Sequence, residues 1–134
     1  VTSDVLASNQ ANCRTDTAAN PLELVDLPYT SPVGWYNGIN PVRLSSPGAS
    51  TVLAMSPMGA YDMSGNVWEW CHDYYGTYSA GDQANPVGPE SGTEKVLRGG
   101  SWNSFDNDCR SASRTYSPPE TTTYTDGFRI ARTP

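Results

Sequence analysis

Lysine occurs once in this chain, at Lys95. With 8 Lys+Arg against 14 Asp+Glu, the formal net charge is −6. Binding to a phosphate backbone needs a basic face, so a general nucleic-acid binder is excluded. Long apolar runs are missing too, and no stretch approaches the ~20 residues of a membrane span. Val1 opens no signal-peptide pattern. Hydrophobic residues make up 37% of the chain, below the usual globular share. Cysteine is scarce: Cys13, Cys71 and Cys109 are the 3 present. They show no C-x-x-C spacing, which argues against a zinc site or a thioredoxin-type dithiol. Three cysteines allow one disulfide with a leftover thiol, or three buried thiols packed as small hydrophobes. The compartment is left open.

What the chain does contain is 12 Gly, 11 Pro, 8 Tyr and 4 Trp in 134 residues. That length suits one domain with one core. Four tryptophans are enough to seed the core. The rest of the composition describes a loop-rich domain with little regular structure.

Pro21, Pro28 and Pro32 exclude a long helix near the start, where Leu22, Leu24 and Leu27 alternate weakly with acidic residues. Asn40-Pro41 and Ser46-Pro47-Gly48 are turn signals. Val67-Trp68-Glu69-Trp70-Cys71 reads as a strand, with Val67, Glu69 and Cys71 on one face and Trp68 and Trp70 on the other. Gly65-Asn66 just before it tolerates positive φ. Residues 74–94 have no helical period and read as a long loop. Val96 to Trp102 reads as a strand interrupted by Gly99-Gly100, a sign of a bulge or a close backbone approach. Cys109 to Arg114 alternates with period two, and Gly127 to Ala131 reads as a closing strand.

The blocks Gly59 to Trp70, Asn85 to Pro89, Val96 to Trp102, Arg110 to Arg114 and Gly127 to Ala131, in that order, resemble the formylglycine-generating enzyme (sulfatase-modifying factor) family. The likeness covers about residues 59–131, with a weaker match from Ala11 to Gly34. It implies an α+β, C-type-lectin-like fold: small twisted antiparallel sheets, abundant irregular loops and few helices. It does not carry the enzyme's activity. That activity needs a copper-binding pair of cysteines shortly after the Arg-Gly-Gly-Ser-aromatic strand, and here Ser104 and Phe105 follow Trp102-Asn103. Copper(I) needs soft thiolate ligands. Iron-dependent members of the family need a histidine cluster, and this chain has 1 histidine, His72.

The chain is most similar to the short form of this domain in the variable proteins of diversity-generating retroelements. Residues 1–134 are then one truncated domain, and residues 102–126 a variable, ligand-binding segment. The resemblance implies a non-catalytic module that binds a protein or glycan on another cell or virus, at a cell surface or on a virion. The competing reading is a formylglycine-generating enzyme, or an inactive remnant of one, acting on sulfatase cysteines.

On this reading the ligand-facing residues are Asn103, Ser104, Phe105, Asn107, Ser113, Thr115, Tyr116, Thr121, Thr122, Tyr124 and Thr125. Small polar and aromatic side chains on loops make adaptable binding surfaces. Phe105 and Tyr116 are the expected anchors of one exposed patch, since aromatics dominate hot spots. Trp68, Trp70, Trp102 and Phe128 are the expected scaffold. No cofactor is required, but the family binds structural calcium, and Asn66 and Glu69 match one of its sites. The alternative makes Asn66 a turn residue and pairs Glu69 with a framework arginine. The resemblance places Cys71 and Cys109 beside adjacent strands as a candidate disulfide, leaving Cys13 as the odd thiol.

Overall fold

The structure is a computed structural model and describes residues 7, 9–14, 22–42 and 49–131. Its regular elements are few: β1 (Trp68–Tyr74), β2 (Lys95–Arg98), a 3-10 turn (Asp106–Cys109), β3 (Thr115–Ser117) and β4 (Asp126–Gly127). The strands form one sheet in the order β3-β2-β1-β4. β2 runs antiparallel to both β1 and β3, and β4 pairs parallel to β1. A small mixed sheet with almost no helix is the expected α+β, lectin-like architecture.

β1 forms where the aromatic run predicts a strand and continues past it to Tyr74. Trp68, Glu69, Trp70 and Cys71 are all partly buried, so neither face of β1 is sealed. Its register places Glu69 opposite Arg98 and Trp70 opposite Leu97, then slips before Tyr74 meets Lys95. Extra residues on β1 at that slip form a bulge that strengthens the local twist. The Lys95 ammonium lies 3.5 Å from the centre of the Tyr74 ring and donates to the His72 carbonyl.

Three predicted strands are shorter or absent, and the one expected from Val96 to Trp102 ends at Arg98. Cys109 to Arg114 is not a strand: it finishes the 3-10 turn and continues through turns. Arg98 explains this, because its guanidinium donates to the Ser111 and Ser113 carbonyls, both at 3.2 Å. Those acceptors are thus taken by a side chain rather than a neighbouring strand. The closing strand stops at Gly127, and Phe128 is 77% exposed. Phe128 is therefore not part of the scaffold, in contrast to Trp102, which is buried.

The core gathers Val96 and Leu97 of β2 with Trp102, Tyr36, Val42, Leu22 and the Ala11–Cys13–Cys109 cluster. Asn66 ties these parts together. Its backbone amide donates to the Asn12 carbonyl and its carbonyl accepts from the Trp102 amide. Its side-chain oxygen accepts from the Ser31 amide at 2.9 Å and from the Asn12 amide group at 3.4 Å. Its own amide group donates to the Ser31 carbonyl. Next to it, Gly65 takes φ +75, and a Cβ there would collide with the Asn12 carbonyl. Gly100 is the close approach that the glycine pair suggests: a Cβ on it would sit 2.5 Å from Cys109 Sγ.

Candidate functional site

The 102–126 segment starts from a fixed base. Trp102 packs edge-on against Tyr29 with ring centres 5.1 Å apart, and its indole N–H donates to the Tyr124 carbonyl. The Thr125 carbonyl accepts from the Trp68 amide. Ser101 and Ser104 close a tight turn, with their hydroxyls 3.0 Å apart and the Ser101 amide donating to Ser104 Oγ. The Ser104 carbonyl accepts from the Arg14 amide. Ser104 is therefore buried turn framework, not a ligand-facing residue.

Most of the other expected residues reach the surface. Asn103, Phe105, Asn107, Tyr116, Thr122 and Tyr124 are exposed, and Ser113, Thr115, Thr121 and Thr125 are partly buried. Both expected anchors have neighbours that the sequence did not reveal. The Arg14 guanidinium lies 4.7 Å above the Phe105 ring, where the two residues form a parallel bridge. Tyr116, on β3, lies against Tyr75 with ring centres 4.3 Å apart.

Beside Tyr116 the Tyr74–Pro89 loop closes over the sheet. Arg114 is held between Tyr75 and Tyr78, at 4.5 and 3.8 Å from their ring centres, and donates to the Gly76 carbonyl. Arg98 donates to the Tyr78 hydroxyl at 2.8 Å. Arg98, Arg114, Gly76, Tyr78 and Asp73 edge a cavity of about 610 Å³, within the size range of small-ligand sites. Neither arginine has a carboxylate partner among the described residues. The sequence shows Tyr75, Tyr78 and the two arginines, but nothing in their spacing brings them together. A smaller hollow of about 290 Å³ is lined by Tyr36, Met55 and Met63 among others, and by no residue of the 102–126 segment.

The two residues matched to calcium have separate partners. Glu69 Oε2 accepts from Arg129 Nε at 2.9 Å, and its other oxygen pairs with Arg129 Nη2. Arg129 also donates to the Tyr61 and Asp62 carbonyls. This carboxylate holds the guanidinium pKa above its ordinary value. Asn66 spends its side chain on Ser31 and Asn12. No group of three His, Cys, Asp or Glu suited to a metal occurs among the described residues. A calcium ion needs six to eight oxygens, several of them charged. As placed here, Asn66 and Glu69 do not offer that shell, and Glu69 has the arginine partner of the alternative reading.

The cysteines correct the expected pairing. All three are free. Cys109 lies against Cys13, not Cys71, in a near-contact of 4.2 Å. Cys71 is elsewhere, partly buried in β1, with its thiol directed at the Glu69 carbonyl. Strand proximity misleads here because Cys109 ends a 3-10 turn that points it at the 11–13 segment. The facing thiols shift each other: the Cys109 neighbour lowers the Cys13 pKa, and the Cys13 neighbour together with burial raises that of Cys109. Burial raises Cys71. The catalytic cysteine pair of the resembled enzyme is not present in this chain.

Over 92 residues the chain is 45% identical to the serine/threonine-protein kinase pkn1 of Chlamydia pneumoniae, covering 63% of this chain and 15% of that protein. Over 97 residues it is 39% identical to the formylglycine-generating enzyme of Thermomonospora curvata, covering 65% of this chain and 32% of the enzyme. Among solved structures it is similar to Treponema denticola variable protein 1, with TM-score 0.51 and 34% identity, over 70% of this chain and 34% of that one. The chain thus spans about a third or less of each of these relatives. The model of the sulfatase-modifying factor enzyme 1-like domain matches residues 8–134, and a match over nearly the whole chain places this protein in that domain family.

Proposed function

We propose that this domain is a non-catalytic binding module that presents residues 103–125 to a protein or glycan on another cell or a virus. The observation that carries the reading is the contrast within one segment. Buried Trp102, Ser101, Ser104 and Cys109 set the base, while Asn103, Phe105, Asn107, Tyr116, Thr122 and Tyr124 face outward. Recognition residues concentrate on loops carried by a rigid scaffold. The likeness to a variable protein supports the same reading and favours a diversified segment exposed at a cell surface or on a virion. Among the described residues no helix is long and apolar enough to cross a membrane.

The test is a sextuple alanine variant at those six exposed positions, compared with the parent on glycan arrays and on a panel of whole cells. Binding should vanish while the melting temperature stays within a few degrees. Copper-dependent oxygen consumption on a cysteine-containing sulfatase peptide, abolished by Cys109→Ser, would defeat the proposal in favour of an enzyme.

A further inference from the structure

We propose that Cys13 and Cys109 form a disulfide when the folded chain meets an oxidising thiol buffer. That bond would staple the 12–14 segment to the base of the 103–108 loop. The two residues are 0% and 2% exposed and share one small buried cluster with Ala11. They stand unbonded at a 4.2 Å near-contact. Bonded sulfurs lie about 2.05 Å apart, so closure asks for a small movement of two side chains.

The surrounding backbone already holds the two segments in place. Asn12 bridges to Gly65, and Arg14 bridges to Phe105, four residues before Cys109. The Arg14 amide donates to the Ser104 carbonyl at 2.8 Å. On the far side of Cys109, Gly100 has no side chain, and the space a Cβ would take is filled by the Cys109 sulfur. Asn12 and Arg14, on either side of Cys13, are thus fixed before any bond forms, and Cys109 packs against Gly100. Two thiols packed only as small hydrophobes need no such facing geometry.

The chemistry balances with a low-molecular-weight disulfide such as oxidised glutathione as the oxidant. The Cys13 thiolate attacks one glutathione sulfur, and the first glutathione thiolate leaves. Cys109 then gives up its proton and attacks the Cys13 sulfur of the mixed disulfide, releasing the second glutathione. Two protein thiols are oxidised, and one glutathione disulfide is reduced to two thiols. Cys13 is the first nucleophile, because its neighbour Cys109 lowers its pKa while that of Cys109 is raised.

The experiment incubates the folded, reduced chain in a glutathione redox buffer, alkylates remaining thiols and maps peptides without reduction. The expected product links the Cys13 peptide to the Cys109 peptide and leaves Cys71 alkylated. A bond closing so long a loop should raise the melting temperature by about 10 °C over the reduced chain. Dithiothreitol should reverse the gain. Cys71→Ser should keep it, and Cys13→Ser and Cys109→Ser should each lose it. Because the oxidised and reduced parent chains are compared directly, a serine variant that fails to fold does not spoil the test. Three results overturn the proposal: Cys13 and Cys109 both alkylated in folded, oxidised protein; a linkage that includes Cys71; or a linked form that melts below the reduced one. The outcome is independent of whether the 103–125 surface binds a ligand.

Discussion

Arg129 grips Glu69 across 60 residues of sequence, with two guanidinium nitrogens on the two carboxylate oxygens. The same guanidinium reaches the Tyr61 and Asp62 carbonyls, so one side chain joins β1, the residues after β4 and the Tyr61-Asp62 segment.

This pair sets the first prediction. Both side chains keep solvent contact, at 36% and 21% exposure, so the ion pair alone contributes about 1 kcal/mol or less. Glu69→Gln should therefore cost only about that much. Because the arginine supplies the positive charge, a melt in excess EDTA should match one in added calcium. A rise of several degrees on calcium addition, lost in Glu69→Gln, would show that a cation displaces Arg129.

Trp102 and Phe128 supply the second prediction, because the two aromatics differ so much in burial. Trp102→Ala removes a side chain that is 7% exposed and should cost ~3–5 kcal/mol. Phe128→Ala removes one that is 77% exposed and should stay within about 0.5 kcal/mol. Urea unfolding of the two variants checks both values, and equal losses would refute the assignment of Phe128 to the surface.

Asn66 has φ +69 and a fully bonded side chain, so two effects need separating. Asn66→Gly keeps the backbone conformation but deletes the contacts to Ser31 and Asn12. Leaving buried partners unsatisfied costs ~1–3 kcal/mol. Asn66→Ala adds strain at positive φ and should be the worse of the two. Thermal denaturation that ranks glycine below alanine would remove backbone strain as the second effect, and an Asn66→Gly variant as stable as the parent would remove the side-chain bonds as the first.

Tyr36 gives a pH prediction. Its hydroxyl is buried without a hydrogen-bond partner among the described residues, and burial, followed by nearby negative charge, pushes its pKa well above the ordinary value. The folded state thus holds this proton more tightly than the unfolded chain does. The associated stability is fully present below the unfolded value near 10 and declines as pH rises above it. Tyr36→Phe should be neutral or stabilising at pH 7 and should blunt the loss of stability between about pH 10 and 12. An unchanged alkaline profile in the variant would place the sensitive group elsewhere.

How much of this was legible varies along the chain. β1 was visible because Val67 to Cys71 combines β-branched and aromatic residues, a local property. The close approach at Gly99-Gly100 was visible for the same kind of reason. The alternation from Cys109 to Arg114 misled because it describes side chains, whereas the backbone partner turned out to be the Arg98 guanidinium. Ser104 reads as a polar loop residue, and its burial depends on the hydroxyl of Ser101. The meeting of Cys13 with Cys109, and of Arg114 with Tyr75 and Tyr78, joins distant segments, and no local pattern encodes either.

At its β3 margin the sheet meets solvent with a strand of three residues, Thr115–Ser117, followed at once by Pro118-Pro119. A free strand margin invites another chain to continue the ladder, and short length and proline both discourage it. Tyr116 stands in the middle of that strand. If residues 103–125 vary as proposed, side chains there change beside a backbone that stays a poor template for strand pairing.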